Sequence, residues 1–164
     1  MEINEKVRLV QKKEVELLKI FSDICEKHNL TYYALGGTLL GAIRHGGFIP
    51  WDDDMDLGMP REDYDKFIEI ANSELPKHIL LKTHTDNLGN TSIRDTATVV
   101  TFGTTDCNPF LDIFPLDGFP DKGFSEWKHE KHILFYRMLS KLSVVHEISD
   151  RDRGKFENTL VKVA

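Results

Sequence analysis

Four carboxylates crowd into five positions, Asp52-Asp53-Asp54-Met55-Asp56, and run directly into Leu57-Gly58-Met59. Read as a strand over Met55–Met59 that Pro60 stops, the segment puts Asp54, Asp56 and Gly58 on one face. Met55, Leu57 and Met59 take the other and can enter a core. Such a strand holds its acids at the rim of a sheet. The competing reading, a solvated acidic turn, does not account for the apolar residues that follow. Carboxylates at successive same-face positions stand roughly 7 Å apart, twice the rise per residue. They repel one another unless a cation lies between them, and hard oxygen donors of this kind suit Mg²⁺ or Mn²⁺. Asp52 shares the parity of Asp54 but follows Pro50-Trp51 and still belongs to a turn, and Asp53 points to the opposite face. A calcium loop is disfavoured, because the run lacks the glycine at the sixth position and the closing glutamate of that motif.

A second acid stands alone in an apolar run, Phe110-Leu111-Asp112-Ile113-Phe114. An unpaired buried carboxylate is costly, so Asp112 is expected to be paired, bound to metal or exposed. If its strand lies beside Met55–Met59, Asp54, Asp56 and Asp112 converge, and three convergent acids can hold two metals for an in-line displacement at phosphorus. Upstream, Leu35-Gly36-Gly37-Thr38-Leu39-Leu40-Gly41 reads as strand end, glycine pair and helix start. Backbone N–H groups at such a turn can approach phosphate oxygens. Thr38 is placed to cap the helix or touch the phosphate.

The remaining pattern alternates helices and strands irregularly. Residues 4–28 carry Val7, Val10, Leu17, Leu18, Phe21, Ile24 and Cys25 at helical spacing, with Asn29 as a stop. A short strand is expected over Thr31–Leu35 and a helix over Thr38–Ile43. A helix over 61–75 has the buried stripe Tyr64, Phe67, Ile68 and Ala71. Strands are expected over Ile79–Thr83, Ala97–Phe102 and Pro109–Phe114, with a polar turn at Asp86–Asn90. A long helix runs from Phe124 to about Ile148, with Trp127, Ile133, Leu134, Leu139, Leu142 and Val145 along its apolar side, before a polar stretch from Asp150 to Ala164. This order predicts an α/β (α+β) fold, a mixed sheet flanked by helices, in one domain over 1–164. The ending without a stop signal suggests that the domain continues beyond it.

Composition excludes several classes. The net charge of −6 disfavours a general nucleic-acid binder. No run of eighteen apolar residues occurs, and Met1–Gln11 lacks the apolar core of a signal peptide, so the expected compartment is the cytoplasm. Cys25 and Cys107 are two distant thiols without zinc or disulfide spacing.

The uninterrupted run Gly36-Gly37-Thr38-Leu39-Leu40-Gly41-Ala42-Ile43-Arg44-His45-Gly46-Gly47-Phe48-Ile49-Pro50-Trp51-Asp52-Asp53-Asp54-Met55-Asp56 resembles the signature of the LicD family. That family includes phosphocholine transferases of bacterial surface polysaccharides, with fukutin-related proteins as relatives. Arg61-Glu62-Asp63-Tyr64 and Leu111-Asp112-Ile113-Phe114-Pro115-Leu116-Asp117-Gly118 look like further segments of it. The resemblance implies a nucleotidyltransferase-like fold, with Gly36 and Gly37 before two acids on one strand, Asp54 and Asp56, and a third, Asp112, on a neighbour. It also implies metal-dependent transfer of a phosphorylated alcohol from a CDP-linked donor to a hydroxyl of a cell-surface glycan such as lipopolysaccharide, teichoic acid or capsule. Phosphocholine from CDP-choline is the first candidate and CDP-ribitol the second. Glycolipid acceptors would bring peripheral membrane association. Family members are usually longer, with more helical sequence after the catalytic half.

Among other residues, Arg44, His45 and Arg94 are candidates to contact phosphates, against a bland role in salt bridges and loop hydrogen bonds. Trp51 is the leading candidate wall of an aromatic cage for a choline cation, with Tyr33, Phe48 and Phe110 beside it. Asp112, set apart from the paired acids, is the expected general base. His28, His84, His129, His132 and His146 show no metal-ligand pattern. Two rival functions remain: a nucleotidyltransferase attacking the α-phosphorus of a nucleoside triphosphate, and a catalytically silent nucleotide-binding domain.

Overall fold

The first helix, α1 (Ile3–His28), forms because its apolar residues recur at three- and four-residue spacing. Val7, Val10, Leu17, Phe21, Ile24 and Cys25 are all buried along it. Asn29 ends it in the left-handed region at φ 53°. Leu30 N–H returns to the Cys25 carbonyl at 2.8 Å and Asn29 N–H to Glu26 at 3.3 Å, the paired bonds of a Schellman stop. The computed structural model describes residues 3–83, 90–102, 104–118 and 123–143. It divides into two compact units, Met1–Asp117 and Gly118–Ala164.

The first unit is built on a five-stranded sheet with β1 (Tyr33–Ala34), β2 (Asp56–Pro60), β3 (Ile79–Thr83), β4 (Thr91–Asp95) and β7 (Phe110–Leu116) in the order β1-β2-β7-β4-β3. Only β2 and β7 run parallel; the other pairs are antiparallel. The mixed sheet expected from the sequence is therefore present. A separate ribbon pairs β5 (Val100–Phe102) with β6 (Thr105–Cys107). Helix α2 (Gly36–His45) joins β1 to β2, and α3 (Arg61–Glu74) follows β2.

Leu57, Met59, Ile93, Leu111 and Ile113 line one sheet face, where they pack with Leu17 and Phe21 of α1 and Tyr64, Phe67 and Ala71 of α3. Phe21 and Phe67 meet edge to face at 5.0 Å. Burying a side chain of this size contributes roughly 1.5–3 kcal/mol. The Tyr64 hydroxyl bonds to Thr91 Oγ1 at 2.6 Å, tying α3 to β4. Lys27 and His28 of α1 both hold Glu74 of α3, which gives His28 a structural task. In the second unit, α4 (Phe124–Ser143) starts with Trp127 N–H bonded to the Gly123 carbonyl.

Several expectations need correction. The strand expected over Ala97–Phe102 is only Val100–Phe102. Asp95 accepts the Ala97 N–H at 2.9 Å and the Thr98 hydroxyl at 2.7 Å, and that local turn diverts the chain first. Strand β4, which pairs with both β3 and β7, was not expected: Thr-Ser-Ile-Arg-Asp offers one large apolar residue in five positions. Strand β2 begins at Asp56 rather than Met55. Asp54 therefore lies ahead of the ladder, in a loop, and strict strand parity does not govern it. Helix α2 begins at Gly36, so the glycine pair is its first turn rather than a break before it. The turn expected at Asp86–Asn90 lies outside the described residues except for Asn90, as do His84, His146 and the stretch from Asp150 to Ala164.

Candidate active site

Parallel pairing sets Asp56 of β2 directly beside Asp112 of β7. Because Leu57, Leu111 and Ile113 turn into the core, the two acids share the opposite face. The same face continues onto β4, where Ser92 pairs with Asp112 and Arg94 with Phe110. Neighbouring strands lie about 4.8 Å apart, so this row gathers two carboxylates, a hydroxyl and a guanidinium. Arg94 Nε donates to Ser92 Oγ at 3.1 Å, and its guanidinium sits 4.8 Å from the Phe110 ring centroid. Asp112 therefore stands next to Asp56, as expected if its strand lay beside the acid strand, although it is separated from the paired acids in sequence. Met55 carries the ladder one step further by accepting the Asp112 N–H at 2.9 Å.

The start of α2 closes on this row. Leu35 N–H donates to the Asp56 carbonyl at 3.0 Å, and the Asp56 N–H donates to Thr38 Oγ1 at 2.8 Å. Thr38 thus anchors the acid strand; it does not cap α2, whose N-cap is Leu35 without a side-chain bond. Gly36 has φ +46°, a conformation that a side chain would strain. A Cβ there would lie 3.6 Å from Asp56 Oδ2, and a Cβ at Gly37 would lie 2.7 Å from Asp52 Oδ2. The missing side chain at Gly37 is what lets Asp52 stand against a helix N-terminus, where partial positive charge favours anions, whereas the demand at Gly36 is its backbone conformation. At the other end of α2, Gly41 packs against the loop backbone, and a Cβ would meet the Gly47 carbonyl oxygen at 2.5 Å.

The electrostatics are those of uncompensated negative charge. Among the described residues, Asp52, Asp53, Asp54 and Asp56 make no ion pair. Burial, reinforced by the charges of Asp54, Asp112 and Asp52, raises the pKa of Asp56. Burial, the Asp54 charge and a hydrogen bond with Asp54 raise that of Asp52. One contributor was missed entirely. Glu14 of α1 is 0% exposed, and neither of its oxygens has a hydrogen-bond partner among the described residues. Burial, then the charges of Asp54, Asp53, Asp52 and Asp56, push it up to about 9. Its only sequence signal is a charged residue one turn from Gln11 and inside an otherwise apolar helical stripe.

Of the other expected residues, Arg44 and His45 are exposed in the last turn of α2. Trp51 is 77% exposed and Tyr33 is exposed too, whereas Phe48 packs against the core and Phe110 lies under Arg94. Arg61 is bound bidentately to Asp117 at 2.7 and 2.6 Å, outside the acid row. A groove lined by Lys6, Leu9, Lys12, Lys13 and Val99 shares no residue with the row.

The donor set suits Mg²⁺ or Mn²⁺ in chemistry: it is all oxygen and anionic, Asp52, Asp53, Asp54 and Asp56 make no ion pair among the described residues, and a buried carboxylate without hydrogen bonds there, Glu14, adjoins them. Among the described residues, no three acids, imidazoles or thiols already surround a common point as metal ligands would, so binding requires side-chain adjustment.

Comparison with known proteins agrees with this layout. The chain is 39% identical over 114 residues to the lipopolysaccharide cholinephosphotransferase LicD of Haemophilus influenzae, a match over 66% of this chain and 43% of that protein. It is 43% identical over 51 residues to the human ribitol 5-phosphate transferase FKRP, covering 31% of this chain and 10% of that one. A 69-residue segment is 42% identical to a protein of Rickettsia typhi, over 40% of this chain and 22% of that protein. The chain thus spans less than half the length of these relatives. Residues 29–159 match the family described as LicD/FKTN/FKRP, nucleotidyltransferase domain, and with most of its length inside that match this protein belongs to the LicD family.

Proposed function

We propose that the chain carries the catalytic acids of a phosphotransferase that moves a phosphorylated alcohol, phosphocholine foremost, from a CDP-linked donor to a hydroxyl of a cell-surface glycan. The observation that carries this reading is the register pair Asp56–Asp112, facing the glycine start of α2. Membership of a family that contains a cholinephosphotransferase and a ribitol 5-phosphate transferase supports the donor class.

In this reading Asp54, Asp56 and Asp112 hold Mg²⁺ or Mn²⁺. When bound, the metal supplies neutralisation of the donor pyrophosphate and acidification of the acceptor hydroxyl. Gly36, Gly37 and the following amides present N–H groups to a donor phosphate. Thr38 fixes the acid strand to that helix start through its bond from the Asp56 amide. Arg94, held by Ser92 and Phe110 on the same face, neutralises charge on the transferred phosphoryl group. Asp112 receives the acceptor proton, now from a place beside Asp56. Attack at the distal phosphorus expels CMP, so positioning and charge stabilisation outweigh covalent work by the protein. Arg44 and His45, exposed in the last turn of α2, and Trp51, exposed in the loop that follows, are proposed contacts to the donor. No described helix is long and apolar enough to cross a membrane; a cytoplasmic enzyme meeting a membrane-bound glycan through that acceptor fits this reading.

The test is incubation with Mg²⁺ and, separately, CDP-choline, CDP-ribitol or CTP, following binding and released product, with Asp56→Asn as control. Metal-dependent binding of one CDP-alcohol and release of CMP, both lost in the variant, are expected. Pyrophosphate release from CTP would instead assign attack at the α-phosphorus. Absence of any binding by folded protein would leave a silent nucleotidyltransferase-fold domain.

A further inference from the structure

We infer that Glu14 of α1 is a fourth acid of the cation site, a buried carboxylate that faces the Asp52–Asp56 loop from the helix side and strengthens divalent-cation binding there, directly or through a bound water. The inference rests on the metal-dependent reading above and adds a residue to it.

Three observations carry it. First, Glu14 is fully buried, yet neither carboxylate oxygen meets a donor. Whether ionised or protonated, a buried carboxyl left in that state costs free energy. A structural acid would be expected to have acquired a partner, as Asp95 has. Second, of the cations near it in sequence, Lys12 is exposed, and Lys13 and Arg8 are engaged with other groups. Lys13 Nζ lies 2.8 Å from Glu16 and 4.0 Å from Asp95, and Arg8 donates to Gln11 Oε1 at 3.1 Å. Third, α1 is docked onto the acid loop one turn before Glu14. The Gln11 amide donates to the Asp52 carbonyl at 2.6 Å and to the Ile49 carbonyl at 3.3 Å. Residues three apart share a helix face, so the contact that fixes Gln11 on the loop also directs Glu14 toward it. The charges that act on Glu14 are those of Asp54, Asp53, Asp52 and Asp56. A cation among these acids would supply the counter-charge that no side chain provides among the described residues.

The test is calorimetric titration of the metal-free chain with MnCl₂, together with the melting-temperature rise that Mn²⁺ produces. Glu14→Gln keeps the shape and removes the charge; Glu14→Asp keeps the charge and shortens the reach; Asp56→Asn reports on the site itself. A 10–100-fold weaker Mn²⁺ affinity is expected for Glu14→Gln, the size seen when a supporting group of a metal site is removed. Glu14→Asp should fall between that variant and the unmodified chain, and it carries the test alone if Glu14→Gln fails to fold. Unchanged affinity in the Glu14 variants, with binding lost in Asp56→Asn, would overturn the role of Glu14 and leave the transferase site standing. No Mn²⁺ binding by the folded unmodified chain would overturn both.

Discussion

Asp95 and Glu14 are two buried acids of the same unit, and they differ in everything but burial. Asp95 is 6% exposed, accepts bonds from Ala97 and Thr98, and lies 4.0 Å from Lys13. Burial pushes its pKa up, but the hydrogen bonds from Thr98 and Ala97 outweigh it, with Lys13 and His78 assisting, and the net shift is downward. Glu14 is 0% exposed, has no such bonds, faces four like charges and is shifted up to about 9. The first acid is held by the fold and shapes the turn into β5. The second is tolerated by the fold as a protonated acid, and a cation bound at the inferred site would supply its counter-charge. The contrast separates an acid that stabilises the structure from one that the proposed site reserves for a cation.

The largest effect should come from the reserved set. Asp112→Asn is expected to lower transfer of a CDP-alcohol by ~10²–10³-fold, the scale for loss of one electrostatic contributor to a transition state, while leaving urea denaturation nearly unchanged. A large drop in stability would place Asp112 with Asp95 instead. Asp95→Ala should do the reverse: a loss of about 2–3 kcal/mol in urea unfolding, from removing hydrogen bonds to a charged group and orphaning their donors. Asp95 has a depressed folded pKa, so its contribution is present above the ordinary carboxylate value and is lost as pH falls through the folded one. The difference between Asp95→Ala and the unmodified chain should therefore shrink in acid, and a pH-independent difference would contradict the assignment.

Glu14 has the opposite sign. Its folded pKa, pushed up to about 9, lies above the ordinary glutamate value of 4.5, so the folded state binds the proton more tightly. Without metal its contribution to stability is full below the ordinary value and is lost as pH rises toward the folded one, because the unfolded chain ionises while the folded one keeps the proton. Glu14→Gln should stabilise the metal-free chain against urea unfolding at pH 8 by on the order of 1 kcal/mol once the unsatisfied amide is counted. Little gain is expected at pH 4.5. A variant less stable at both pH values would mean that Glu14 has a structural partner after all. The smallest effect belongs to Arg61→Ala, since Arg61 and Asp117 are both well exposed. About 0.5 kcal/mol, screened by salt, is expected in thermal unfolding.

Much of the site was legible because its signals are local. Asp56 and Asp112 each interrupt an apolar alternation, which marks a strand acid facing away from a core. Gly36-Gly37 announces a special backbone turn and a tight approach; the turn is the positive φ of Gly36 and the approach is of Asp52 to Gly37. Strand β4 was not legible because a strand can be held by ladder bonds on both sides with only Ile93 to mark it. Glu14 was not legible because helical spacing cannot tell a solvated glutamate from one pressed against a loop some forty residues further on.

The sequence by itself determined the mixed α/β class, the long amphipathic α1, the acid strand with its apolar reverse face, and the family signature across Gly36–Asp56. These follow from periodicity and local chain stiffness, which neighbours along the chain impose. Only the tertiary structure decided that β7 lies parallel to β2 in the register that pairs Asp56 with Asp112, that Ser92 and Arg94 extend the same row, and that Gln11 locks α1 onto the acid loop with Glu14 behind it. Those relations join residues distant in sequence. Burial of shared apolar surface and pairing of backbone groups select them, and both are properties of the assembled core.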